Sequence, residues 1–180
     1  MTFLEVYNGV NKFYDDIANI IADILTSHQD LIIDLVKEQL LSGRDSDNNL
    51  LAPEYLNDPH FRSNKRSDKP KKKGQKSAAE RYFDKKKELE DKHNKMKKFG
   101  NLFDTKPEGV PNLIVNGNFH EGIYINIMGQ TYVIDSTYED SDAIQRKYNY
   151  RVLDLNKVSI DKLTELIRPE LVKALNDRYG

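Results

Sequence analysis

The sequence predicts an α+β fold: N-terminal helices, a small antiparallel β-sheet and C-terminal helices, with an inserted basic helical arm. Three observations carry this reading. Apolar residues recur at helical spacing in the first forty positions and again near the end of the chain. Between Gly122 and Asp135 they switch to alternate positions, the period of a half-buried strand. Between these regimes lies a Lys-rich stretch with almost nothing apolar. The boundaries follow. Residues 1–61 form an N-terminal helical pair and a short hairpin, residues 62–99 a basic arm of loop plus helix, and residues 100–180 an α+β part completing the same domain.

Each element has its own signal. Val10, Tyr14, Ile17, Ile21 and Ile24 lie four and three apart, one seam of a helix over 3–25, with Asp15, Asp16, Asn19 and Asp23 off it. Ser27 followed by Asp30 resembles a new N-cap. A second helix then carries Leu31, Ile32, Leu35, Val36 and Leu40 to a stop at Gly43, unless the two are one bent helix. Residues 44–49 read as a turn and Leu50-Leu51 as a short extended piece, with Pro53 and Pro59 preventing a long helix. Residues 62–76 read as a loop. Ser77 with Glu80 forms a capping box for a helix to about Lys98. Leu113-Ile114-Val115 is strand-like, and Ile123 to Met128 pairs with Thr131 to Asp135 across a Gly129-Gln130 turn. Ser141 caps a short helix to Lys147, Tyr150 to Leu153 suggests a short strand, and Ser159 caps a helix that Pro169 breaks or restarts.

Composition narrows the function. The chain has 180 residues, 28 Lys/Arg against 29 Asp/Glu, and no cysteine, which excludes disulfides, thiolate metal sites and cysteine nucleophiles. No run approaches the roughly 18–20 apolar residues that span a bilayer. The start has no basic, then apolar, leader pattern, so a soluble protein of the cytoplasm or virion interior is expected. The net charge of −1 hides segregation: residues 62–98 hold 16 basic and 6 acidic residues, and the remainder holds 12 and 23. A strongly basic arm beside an acidic body can attract copies of itself head to tail, or an acidic partner.

No catalytic constellation emerges. Asp45, Asp47 and Asn49 match the start of a calcium loop, but Leu50 and Leu56 stand where Gly and a bidentate Glu are needed, so an Asx-rich turn is expected. No two of His28, His60, His93 and His120 are three or four apart, and His120-Glu121 reads as part of an exposed loop. No cofactor, metal or catalytic residue is expected. The candidate partner-binding residues are the basic Lys71, Lys72, Lys73 and Lys76, the helical stripe Tyr82, Leu89 and Met96 with Phe83 beside it, and Phe119 in a Gly/Asn-rich loop. The stripe serves either a partner groove or the chain's own body. The lysines serve either a protein surface or phosphates, although aromatic residues for base stacking are absent from 62–81.

The run from Gln39 to Leu51, followed by Pro53 and Tyr55, resembles a segment of small structural proteins in tailed phages of Bacteroidetes, the crAss-like phages included. Asn48 or Asn49 stands where that segment favours Gly. In such proteins a helix runs into a short hairpin, then a Lys-rich segment, strands and a closing Pro-Glu-Leu helix, matched in order by Val115 to Asp135 and Pro169-Glu170-Leu171. The resemblance implies a head–tail connector or tail ring protein, located in the virion and in the host cytoplasm during assembly. Its partners would be copies of itself, in a ring matching a twelve-fold portal, and portal, connector or other tail proteins. It implies no catalytic residues. The expectation is thus a non-enzymatic, non-membrane virion protein; the alternative is a nucleic-acid-binding accessory protein using the Lys-rich arm.

Overall fold

Helix α1 (Phe3–Ser27) opens with a capping box: Glu5 N–H donates to Thr2 Oγ1 at 3.2 Å and Thr2 N–H to Glu5 Oε2 at 2.6 Å. A computed structural model describes the chain over residues 2–59, 74, 76–114, 117–128 and 131–180. Lys71, Lys72, Lys73, His60, Val115 and the Gly129-Gln130 turn lie outside the described residues. His28, at φ −111° and ψ 26°, is a one-residue joint to helix α2 (Gln29–Leu41). The break is therefore real, but Ser27 does not cap α2; its hydroxyl donates back to Ile24 O at 2.7 Å.

Gly43 ends α2 by a Schellman arrangement. Its N–H reaches Leu40 O at 2.9 Å, and Arg44 N–H reaches Gln39 O at 3.1 Å. The φ of +68° suits glycine, and an added Cβ would lie 2.6 Å from Val110 Cγ1. Asp45 Oδ1 then accepts the N–H groups of Asp47 (3.0 Å) and Asn49 (2.7 Å), closing a turn that an isolated bridge between Arg44 and Leu50 completes. Asn48 takes φ 63°, a left-handed conformation that Asn tolerates better than most side chains. A 3-10 turn, Tyr55–Asn57, follows.

Helix α3 (Ala78–Asn94) has the expected box at Ser77 and Glu80. It ends before Lys98 because the N–H groups of Lys98 and Phe99 are drawn off by the Glu38 carboxylate. Strands β1 (Ile123–Met128) and β2 (Thr131–Ser136) pair antiparallel, from Ile123 with Ser136 to Met128 with Thr131. Ile123, Ile125 and Ile134 face the core while Tyr124, Asn126 and Val133 face out. A single helical turn, α4 (Asn118–Glu121), leads into β1, and α5 (Ser141–Lys147) and α6 (Lys157–Tyr179) close the chain.

Four further expected features differ. Leu113 sits at φ 55°, and Leu113-Ile114 is not strand. Asn149 and Tyr150 are also left-handed, so residues 150–153 form an irregular strap that buries Val152 and Leu153. Asn156, not Ser159, caps α6, its side chain accepting Ser159 N–H at 3.0 Å. Pro169 lies inside α6 without stopping it, because the position is exposed and water can take the carbonyl it leaves free.

The core surrounds α2. Leu35, Val36 and Leu40 are fully buried against Phe119, the inward isoleucines of the sheet, Val152, Leu155 and Leu163. Buried Gln39 ties α2 to the start of α6: its Nε2 donates to Asp154 O at 2.9 Å, and its Oε1 accepts Asn156 N–H at 2.9 Å and Ser159 Oγ at 3.3 Å.

Candidate functional site

Helix α6 runs back along α1. His28 Nε2 meets Glu170 at 2.7 Å, Arg178 meets Asp16 at 2.6 Å, and the rings of Phe13 and Tyr179 pack edge-on at 5.1 Å. The Asp16 carboxyl is partly desolvated, yet hydrogen bonds from Tyr179 and Arg178 hold it below the ordinary carboxylate range. These contacts end near Phe13. The apolar sequence of α1 does not: Phe3 is 88%, Leu4 66%, Tyr7 56% and Val10 47% exposed, whereas Ile24 on the same seam is buried. The seam therefore continues at helical spacing where the body no longer covers it.

Beside the covered half of that seam lies an apolar groove of about 360 Å³. Ile21 and Leu25 of α1, Ile125 and Ile127 of the sheet, and Ile160 and Leu163 of α6 form its walls. Groove and projecting tip are two different apolar surfaces of the chain, larger together than the isolated apolar residues usual on a protein surface.

The arm helix lies on its own body. Tyr82 packs edge-on against Tyr55 with ring centroids 5.3 Å apart, Phe83 and Leu89 are half-buried, and Lys76 pairs with Asp84 at 2.5 Å. Of the expected stripe only Met96, beyond the end of α3, stays exposed. Phe119 corrects the expected contact loop: it is a core residue, 3% exposed. The turn of α4 rolls it inward to 6.4 Å from the ring of Tyr138, and Ser136 Oγ donates to its carbonyl at 2.9 Å. His120 is buried with it rather than exposed.

A polar cluster under α3 had no counterpart in the sequence reading. Asn112 Oδ1 accepts from Tyr55 Oη (3.1 Å), Lys86 Nζ (2.9 Å) and Ile114 N–H (3.2 Å). Asn112 Nδ2 meets His93 Nδ1 at 3.0 Å, and the Asn112 carbonyl accepts from His120 Nε2 at 2.9 Å. Burial pushes His120 down to about 4, partly opposed by that carbonyl. Burial, then the charge of Lys86, lowers His93, so in the neutral ring Nδ1 accepts from the amide. Burial also raises the phenol of Tyr55. These residues come from four separate stretches of sequence, and no spacing rule joins them.

Comparison with known proteins adds no relative: no family model, curated protein or solved structure matches the chain.

Proposed function

We propose that the chain is a structural protein of a tailed-phage virion, forming a ring or connector at the head–tail junction or tail through contacts between its own copies. One observation carries this: the apolar seam of α1 runs on past the cover its own subunit provides. The occupant we assign to the groove is the α1 tip of the next copy. Tip and groove are different surfaces, so the contact is heterologous, the kind that closes into a ring. Phe3, Tyr7, Phe13 and Tyr14 alone leave roughly 500 Å² of aromatic surface open. That is the larger part of the ~800 Å² each partner contributes to a stable interface. The resemblance over Gln39 to Tyr55 supplies the virion setting, with portal, connector or other tail proteins as neighbours. Among the described residues no helix is long and apolar enough to cross a membrane.

The test is the mass in solution by light scattering, at low and high salt, with and without a portal-type protein. A ring-sized species is expected, and Tyr7→Asp with Val10→Asp should return it to monomer with an unchanged circular dichroism spectrum. A monomer under all these conditions overturns the reading. If that monomer also binds duplex DNA steeply salt-dependently, and Lys71, Lys72 and Lys73 to Gln removes the binding, the chain is a nucleic-acid-binding accessory protein.

A further inference from the structure

Lys86 is 4% exposed, and among the described residues it has no carboxylate within ion-pair distance. Its ammonium has one hydrogen bond, to Asn112 Oδ1, and lies 5.4 Å and 5.8 Å from the ring centroids of Tyr55 and Tyr82. Burying a cation without a counter-charge is costly, and a neutral amide with two ring faces offsets only part of that cost. Lys86 also lines an open cavity of about 720 Å³ between α3 and the segment 100–109. The other cations there are Lys87, Lys97 and Lys106. Lys87 is held by Glu108 at 2.7 Å, and Lys106, itself buried, by Glu90 at 3.2 Å. Lys97, half-buried, has no such partner among the described residues. The cavity lining thus holds four cations against two carboxylates, Lys86 and Lys97 being the two without an ion pair among the described residues, beside the rings of Tyr55, Phe83 and Phe103.

The geometry points to an oxyanion-binding pocket, in which a small phosphate-bearing molecule pairs with Lys86 and Lys97 and sets its organic body against Phe83. The volume exceeds what inorganic phosphate fills and lies within the range of small-ligand sites. The site is separate from the α1 tip and its groove, so it stands or falls independently of the assembly reading. Burial lowers the Lys86 ammonium to about 8; Glu90 opposes the shift, while Lys106 and Lys85 add to it. Tyr55, Tyr82 and His93 complete its surroundings. A phosphate dianion would supply the missing charge and hold the proton on.

The experiment is a titration of the ¹⁵N-labelled full chain with inorganic phosphate and with AMP at constant ionic strength, at pH 7 and pH 9. Saturable shifts around residues 86, 97 and 109 are expected at pH 7, with binding weaker at pH 9 by up to about tenfold. Lys86→Met should remove binding, and Lys97→Gln should weaken it about tenfold. Tighter binding of AMP than of phosphate assigns a role to the aromatic wall; equal binding assigns a site for the oxyanion alone. No saturable shift with either probe overturns the proposal. So does binding that Lys97→Gln leaves unchanged, a variant whose half-buried position spares the fold if Lys86→Met does not.

Discussion

Glu38 Oε2 accepts the Phe99 N–H at 2.8 Å, and the Lys98 N–H at 2.7 Å, binding the last turn of α2 to chain some sixty residues further on. Glu38 is buried, and a carboxylate receiving two backbone donors substitutes for the helix carbonyls those donors would otherwise use. This contact fixes where α3 ends and how the arm returns to the body.

Glu38→Ala should therefore destabilise the fold by roughly 2–3 kcal/mol, because two N–H groups lose their acceptor. Urea unfolding monitored by circular dichroism measures it. Glu38→Gln, which keeps one acceptor oxygen, should cost less than the alanine variant.

Gly43→Ala should cost about 2 kcal/mol or more. The left-handed φ is strained for any side chain, and the new methyl would meet Val110, Lys106 and Pro111 at 3.0 Å or closer. Val110→Ala in the same background should recover part of the loss if the clash, rather than φ, dominates.

Asn112→Ala should cost roughly 3 kcal/mol, since it leaves Tyr55, Lys86 and His93 buried without their shared partner. Asn112→Asp should behave differently. Its second oxygen would face His93 Nδ1 and favour the protonated ring, so NMR titration should find the His93 pKa above its wild-type value.

The chain should lose stability on acidification through His120. Its folded pKa is depressed from 6.5 to about 4, so the unfolded chain binds the extra proton between those values. Stability is full above pH 6.5 and falls toward pH 4, by up to roughly 3 kcal/mol. Lys37, Lys86 and His93 add to the shift by like-charge repulsion. Unfolding midpoints at pH 7.5 and pH 5 should differ in the wild type and differ less in His120→Gln, buried His93 keeping a share of the dependence.

What could be read from sequence divides along physical lines. The seam of α1, the Ser77–Glu80 box and the alternation of β1 and β2 depend on residues near one another, so their periods were legible. Phe119 and His120 were misread because Gly and Asn around them suggest an exposed loop, whereas the left-handed Gly117 starts a helical turn that points both inward. The strap at 150–153 has strand-like composition, but left-handed Asn149 and Tyr150 deny it a pairing edge. Glu38 with the Phe99 N–H, and Asn112 with Lys86 and His93, are long-range pairings between polar groups. Only packing decides such partners, and no local pattern marks them.

Residues 3–12 of α1 extend about 15 Å beyond the last contact with α6. A helix of that length with no packing partner is marginal in water. Amide exchange should be fast there in the isolated subunit and slow once a neighbour covers it. Under the assembly proposed above, the last increment of folding waits for the moment of association. Joining two copies should then release more heat capacity than the covered surface alone accounts for, and the tip should gain order only where a groove is already waiting.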